Sequence, residues 1–356
     1  MASINASAAN RIVQCPGCVG EALPPTGSAD EGIGAHWVAS EMFKGFVAPV
    51  GMITPNGVVV TDEMLEAVTM YVDGVLSYAG TVQVEEYLTC ASIHPDNKCI
   101  PDAYSIDGET LRVFDFKYGH STIQAKDNFT LVNYAAAIME KYAETAFDNI
   151  ELLIIQPRDF RGGNPVRKWS LTVDELQPYI DDLIYAYGTY DSSELTIRTA
   201  GSECKYCPVR HSCQALVDAE YDIADYVSTS LPNNLTPNET GRELVLVRRL
   251  QLLLDARESG LTIAVEHALK TGGRIEDWSM EPAYGNLAWS LPMDKVVEMA
   301  SLVEVNVLKK QLITPTQAKK AGLPEAILAA CSERKQGSTK LVRSSTTTMK
   351  GVFGNE

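Results

Sequence analysis

Residues 100–117, IPDAYSIDGETLRVFDFK, decide how the chain folds around its chemistry. Asp107-Gly108 is a two-residue hairpin signal between two β-rich runs, so Asp102–Ile106 and Thr110–Lys117 read as antiparallel partners. A loop of those two residues pairs Ile106 with Glu109. Counting outward, Asp102 falls opposite Val113, and Asp115 is its diagonal neighbour on the same face, about 7–8 Å away between backbones. Residues two apart on a strand share a face, so Lys117 stands beside Asp115 while Phe116 points to the other side. A register one residue different would send the two aspartates to opposite faces. Carboxylates so placed can hold Mg²⁺ or Mn²⁺ through hard oxygen ligands. Such an ion polarises a phosphate and acidifies a bound water, and a lysine beside it stabilises developing negative charge. Taken alone the motif is common, and a solvated Asp/Lys pair on a hairpin reads the same way.

Around this hairpin the pattern is that of a mixed α/β domain. Ser28-Ala29-Asp30-Glu31 is a capping box and predicts a helix to about Lys44. A second helix is expected over Thr61–Tyr78 and a strand over Thr81–Leu88. A long amphipathic helix fits Ile123–Glu144. The apolar run Ile150–Gln156 suits a strand buried on both faces, ended by Pro157 and Gly162-Gly163. Thr172-Val173-Asp174-Glu175 opens another capped helix, to about Tyr187. Beyond a polar linker, Asn233–Asn238, helices are expected over Glu239–Lys270 and Met293–Leu308, with one more opened by Thr314-Pro315. From Ser332 the chain is rich in Ser, Thr, Lys and Arg and is expected to be disordered. The division is therefore 1–225 for the catalytic domain, 226–331 for a helical C-terminal region and 332–356 for a tail.

Ile100-Pro101-Asp102-Ala103, the hairpin and Asp115-Phe116-Lys117 together resemble the PD-(D/E)XK nuclease superfamily. The likeness is to its RecB-type branch, which includes the CRISPR adaptation nucleases and the AddB nuclease domain. Glu31-Gly32-Ile33-Gly34-Ala35-His36 resembles that branch's helix-borne histidine motif. The resemblance implies a restriction-endonuclease-like mixed sheet flanked by helices, with the helical C-terminal region as an extension. It implies His36, Asp102 and Asp115 as metal ligands and Lys117 as the catalytic lysine. Tyr134 matches the family's helix tyrosine, but Thr130 stands where a glutamine is usual, and Cys99-Ile100 replaces the glycine before the first aspartate motif. The whole-chain pattern is similar to phage-encoded RecB-like proteins. That likeness implies a cytoplasmic site of action in a bacterial host and a role in DNA recombination or processing.

Eight cysteines are many for a chain with no secretory leader pattern, and clustered cysteines in a reducing compartment point to metal or redox chemistry. Cys204-x2-Cys207-x5-Cys213 places three thiols within ten residues, one short of a four-coordinate site. Cys15 and Cys18 are the candidates for the fourth. The RecB-type branch with iron–sulfur clusters shows the same arrangement, which implies a [4Fe–4S] cluster stapling the two ends of the domain. The family's N-terminal pattern favours Cys15. Structural zinc accepts the same ligands, and Cys15-Pro16-Gly17-Cys18 also reads as a redox pair. Cys90, Cys99 and Cys331 lack motif spacing.

The net charge of −16 argues against a protein that binds DNA through a uniformly basic surface. Arg242, Arg248, Arg249 and Arg257 on one expected helix, and Arg334, Lys335, Lys340, Arg343 and Lys350 in the tail, could contact phosphates or could face solvent. Trp278 and Trp289 suit stacking on bases or core packing. No apolar run is long enough to span a bilayer. The expectation is a Mg²⁺/Mn²⁺-dependent deoxyribonuclease acting on DNA ends or single strands, with a single-strand annealing or single-strand binding protein as partner. Two other readings share these residues. One is a weakly cutting DNA-binding recombination partner that keeps the fold; the other is a zinc-stapled regulatory module.

Overall fold

The computed structural model describes residues 4–18, 28–159, 164–191, 198–227, 234–284, 288–307, 315, 318, 322–333 and 336–343. The chain divides into two compact units, Met1–Ile263 and Ala264–Glu356. The first is built on five strands: β1 (Thr81–Val84), β4 (Ala103–Asp107), β5 (Thr110–Phe116), β6 (Asn149–Ile155) and β7 (Val166–Thr172). They form one mixed sheet in the order β1-β4-β5-β6-β7, in which only β5 and β6 run parallel. Two short strands, β2 (Leu88–Thr89) and β3 (Lys98–Cys99), pair with each other beside it. Helices cover both faces, giving the mixed α/β architecture the sequence pattern predicts.

The hairpin turns one residue later than Asp107-Gly108 suggests. Asp107 pairs with Thr110, so the loop is Gly108-Glu109. Gly108 takes φ +58 in the first loop position, whereas Asp107 stays out of the left-handed region. A glycine-first loop of this kind has the twist of a type II′ turn, so the aspartate need not adopt positive φ. Ala103 then pairs with Phe114, and one step outward Asp102 faces Asp115 directly rather than diagonally. The register moves by two residues, so both aspartates keep a common face.

Strand alternation divides the core. Tyr104, Leu111, Val113, Ile150, Leu152 and Ile154 lie on one face with α1 (Ala9–Gln14), α4 (Phe129–Lys141) and α5 (Val173–Asp191). Phe114, Phe116, Leu153 and Ile155 lie on the other with α2 (Ser28–Phe43) and α3 (Asp62–Leu76). β6 is thus buried on both sides, as its continuous apolar run requires. The capping box at Thr172 forms: its backbone N–H donates to Glu175 at 2.9 Å, and Glu175 N–H donates to its hydroxyl at 3.2 Å. α4 begins six residues later than the amphipathic pattern suggests. Asn128 caps it, accepting from the N–H groups of Thr130 and Leu131. Gln156 holds the preceding segment in a loop, donating to the carbonyls of Gly119 and Ser121 and accepting from Ile123 N–H.

The boundary expected near residue 225 is not a structural one. After α6 (Gln214–Val227), the long helix α7 (Pro237–Lys270) packs Leu253 and Ala256 against Cys204, Leu216 and Ile223. Gly260 permits this approach, since a Cβ there would stand 2.6 Å from the Arg210 side chain. The second unit is not purely helical. β8 (Trp278–Tyr284) pairs with β11 (Gln336–Arg343), and β9 (Ala288–Trp289) pairs with β10 (Ser332–Glu333). Trp289 of β9 packs with α8 (Met293–Ser301) and α9 (Glu325–Cys331) around a core of Val296, Ala300, Leu328 and Cys331. Ser332–Arg343 therefore contributes strands where composition suggested a disordered tail: its partner strands lie some fifty residues upstream, beyond any local signal. α8 stops at Ser301, short of Leu308, and Glu304 beyond it takes φ +55. Trp278 is partly exposed and Trp289 packs against the core. Gly162-Gly163, Asn233, the Thr314-Pro315 helix start, Arg334, Lys335 and Lys350 include residues outside the described set, so the structure says nothing of those features.

Candidate active site

The site lies where β4 begins and β5 ends. Asp102 accepts the Phe116 backbone N–H at 2.7 Å through one oxygen, and its other oxygen faces His36 Nδ1 of α2 at 3.1 Å. The His36 ring rests against Phe116, 5.2 Å between centroids, and Phe116 stacks on Tyr71 of α3 at 4.6 Å. Asp115 is buried, and Lys117 Nζ reaches both its oxygens, at 2.7 and 2.9 Å. Lys117 N–H donates to Ile155 O at 2.9 Å, so the backbone carrying the lysine is an extension of the central β5–β6 ladder.

Of the expected ligands, His36 and Asp102 come together, while Asp115 turns to Lys117. Glu85 joins the first two: His36, Glu85 and Asp102 each offer a ligand atom, all within 4.8 Å of one another. Sequence patterning ran a strand through Leu88 and passed over Glu85. β1 instead ends at Val84, and Glu85 takes φ +51 while its N–H donates to Asp102 O at 3.2 Å. The adjacent acid does a different job: Glu86 accepts from Lys141 at 2.6 and 2.7 Å and from the Tyr104 hydroxyl. A double-acid step at a strand end was the available signal.

Electrostatics sort these groups. Burial works against the protonated form of His36, but Asp102 prevails and raises its pKa. Burial also opposes ionisation of Asp102, yet His36 and Lys117 hold its carboxyl below the usual range. Asp115 goes the other way, pushed up by burial and by Asp102 against the pull of Lys117. Burial disfavours the Lys117 ammonium, but Asp115 and Asp102 raise its pKa, so it stays a cation. Glu85 is exposed at its edge, but its carboxyl is crowded by protein atoms and lies near Asp102; its pKa is pushed up to about 7. Tyr134 of α4 is buried, and desolvation plus the nearby carboxylates push its phenol well up, so it remains protonated. The Tyr71 hydroxyl is buried without a hydrogen-bond partner among the described residues and feels Asp102, Asp115 and Glu85. An imidazole, two carboxylates and an orphaned hydroxyl fit a hydrated hard cation. Thr130 is turned elsewhere, its hydroxyl meeting Asn10 Nδ2 of α1 at 3.4 Å.

A second constellation lies at the C-terminal end of α1. Arg11, Cys15, Cys18, Cys204, Cys207 and Cys213 line one cavity, so the N-terminal pair and the triplet converge. Backbone N–H groups point at sulfur: Thr199 to Cys15 and Gly201 to Cys204, each at 3.3 Å. Arg11 donates to Cys18 Sγ at 3.0 Å and to its carbonyl at 3.2 Å. Burial raises the thiols of Cys15, Cys204 and Cys207, and each of these also feels Cys213. Cys18, pushed up to about 11 by burial, feels Arg11, Cys15 and Cys207. Cys90, Cys99 and Cys331 are buried apart from this cavity.

The chain belongs to the family described as "Protein of unknown function (DUF2800)", whose model matches residues 1–348. Comparison with curated proteins gives no match. Among solved structures it is similar to the crystal structure of SSO0001, at 15% identity and a TM-score of 0.29 over 60% of this chain and 85% of that one. It is also similar to an alkaline exonuclease, LHK-Exo, from Laribacter hongkongensis, at 11% identity and a TM-score of 0.27 over 52% of this chain and 85% of that one. No helix among the described residues is long and apolar enough to cross a membrane.

Proposed function

We propose that the protein is a divalent-metal-dependent deoxyribonuclease. The observation that carries this reading is the meeting of Asp102 and Asp115 where β4 begins and β5 ends, with Asp102 accepting from Phe116 N–H, His36 and Glu85 closing on the first and Lys117 on the second. His36, Glu85 and Asp102, with Asp115 alongside, would hold Mg²⁺ or Mn²⁺; when bound, that ion polarises a phosphate and acidifies a water. Lys117 stays protonated, so it serves by charge, stabilising negative oxygen as it develops, and not by taking a proton. Asp115 fixes the ammonium against the end of β5. Tyr134, still protonated beside the acids, offers a hydrogen bond that a phosphate oxygen can accept.

The cysteine cavity would hold a [4Fe–4S] cluster, whose anionic ligands are suited by the Thr199 and Gly201 N–H donors aimed at sulfur. Structural zinc would accept the same thiols. Cys15, which accepts from Thr199 N–H just before the triplet, is taken as the fourth ligand, whereas Cys18 is held by Arg11. The test is cleavage of end-labelled linear, circular and single-stranded DNA with Mg²⁺ or Mn²⁺. Metal-dependent products lost in Asp115→Asn are expected; intact DNA under every metal would overturn the reading.

A further inference from the structure

α7 carries two stripes with different surroundings. Leu253, Ala256 and Gly260 are buried, the first two against Leu216 and Ile223 and the third under Arg210. At about 3.6 residues per turn, the opposite side of the helix holds Leu244, Val247, Gln251, Leu254, Glu258 and Leu261. All six are exposed, the four apolar ones at 42–49%. They follow one another at alternating steps of three and four residues. That spacing draws one seam along a helix and is the pattern by which two helices supercoil about each other. Single surface leucines are ordinary, but this seam runs for about 26 Å at 1.5 Å per residue, and no described residue covers it.

The polar positions say what the seam fits. Gln251 and Glu258 interrupt it. In a parallel pair of such helices each would meet its own copy, setting two Glu258 carboxylates together in the seam. An antiparallel pair centred between Leu252 and Leu253 keeps them apart. Leu244 then meets Leu261 of a second copy, Gln251 meets Leu254, and Glu258 meets Val247. Beside the seam, Arg248 of each copy falls next to Asp255 of the other, and Glu258, one turn from Asp255, can reach the same guanidinium. Arg248 and Asp255 are both exposed, and they stand two turns apart on their own helix, beyond the reach of an intrahelical pair. Across an antiparallel dimer they meet twice, once on each side of the two-fold axis.

We propose that this seam is a homodimer interface, two copies of the chain joined through antiparallel α7 helices with Arg248 against Asp255 at both ends of the contact. The apolar layers supply the association and the charges set its direction. The interface does not depend on the chemistry assigned to the carboxylate site or to the cysteine cavity.

The test is the mass of the full chain in solution, read by sedimentation velocity. Wild type is expected at twice the 38.8 kDa of one chain, the dimer fraction rising with protein concentration. Leu254→Glu sets a carboxylate in the middle of the seam and should leave monomer alone. Val245→Glu changes an exposed apolar residue off the seam and should stay dimeric. Arg248→Asp and Asp255→Arg each bring like charges together across the pair, so each should be monomeric by itself. Mixed, they should recover a dimer containing one copy of each, because every such contact is then between opposite charges. That recovery also shows that neither variant is merely misfolded. A monomeric wild type overturns the proposal, and so does a dimer that survives Leu254→Glu or is lost in Val245→Glu. Charge variants that stay monomeric when mixed overturn the antiparallel pairing.

Discussion

The carboxylate site and the cysteine cavity are built on opposite plans. The first collects its groups from one sheet end and the helices pressed against it, and it balances its own charges: His36 with Asp102, Lys117 with Asp115. The second gathers thiols from the N-terminal segment and from a loop nearly two hundred residues later, and offers them few cations beyond Arg11. A site that is already paired can lose its ion and keep its shape. A site made of thiols from distant segments would depend on what binds them. On the proposed reading the one serves reaction, the other closure.

The largest effect that separates them is on cleavage. Asp115→Asn keeps volume but removes the partner that fixes Lys117, and Lys117→Ala removes the cation itself. Each should lower the cleavage rate by at least a thousandfold, with DNA affinity in Ca²⁺ within about threefold of wild type because phosphate contacts elsewhere persist. Melting temperature should move by only a few degrees. Near-normal cutting by either variant would show that chemistry lies elsewhere.

At the cysteine cavity the order reverses, and stability leads. Cys207→Ser removes a thiol lining the cavity and opens a staple around most of the first unit. A closure of that length is worth about 5 kcal/mol in the chain-entropy model, or roughly 10–20 °C in melting temperature for a domain of this size. Calorimetry should show that drop with visible absorption lost. Cys15→Ser should behave alike, whereas Cys18→Ser should keep its colour and its iron. If Cys18→Ser bleaches and Cys15→Ser does not, the fourth ligand has been assigned to the wrong cysteine.

The two sites differed as much in how they could be read. The cysteine triplet was visible as spacing, because three thiols in ten residues need no knowledge of register. The carboxylates needed register, and the turn residue that sets it was misplaced by one: Gly108 leads the loop where Asp107-Gly108 was expected to fill it. Alternation protected the conclusion, since a two-residue shift preserves the face. Glu85 had no such protection. Its side chain enters the site only because β1 ends at Val84 and the backbone adopts φ +51, a local choice imposed by tertiary contacts and not by propensity. The β8–β11 pair was illegible for a related reason, its two strands being far apart in sequence and β11 polar in composition.

Glu85 gives the comparison its pH axis. An ordinary glutamate near 4.5 is a ready ligand at pH 6, but this one ionises only at about 7. Below that pH it is mostly protonated and cannot ligate, so Mg²⁺ or Mn²⁺ affinity should fall as pH drops from 8 to 6. Binding near pH 6.5 should release a proton, measurable by calorimetry in buffers of different ionisation enthalpy. The stability sign is opposite for the metal-free fold. A raised acid binds its proton more tightly folded than unfolded, so Glu85 contributes stability below about 4.5 that is lost as pH rises through 7. Glu85→Gln should flatten both dependences and weaken metal binding at pH 8. A wild-type affinity that stays level between pH 6 and 8 would remove Glu85 from the ligand set.

The smallest predicted effect tests the strut between the two regions. Asn128 caps α4, accepting from Thr130 N–H at 3.1 Å and Leu131 N–H at 3.4 Å, and the same oxygen accepts from Asn10 Nδ2 of α1 at 3.2 Å. Asn128→Ala leaves those two helix donors buried without their acceptor, a loss of about 1–2 kcal/mol, or roughly 3–6 °C in melting temperature. Asn128→Asp retains the oxygen, and its charge suits a helix N-terminus, so most of that loss should be recovered. Iron content should stay unchanged in both, since Thr130 still meets Asn10 and Gln14 still anchors the cysteine turn. Cleavage should change by less than about threefold, because α4 is also fixed by Leu131, Ala135 and Ile138 in the core. If Asn128→Ala instead bleaches the protein or silences cutting, the two sites share one cooperative element at the α1–α4 junction, and their independence ends there.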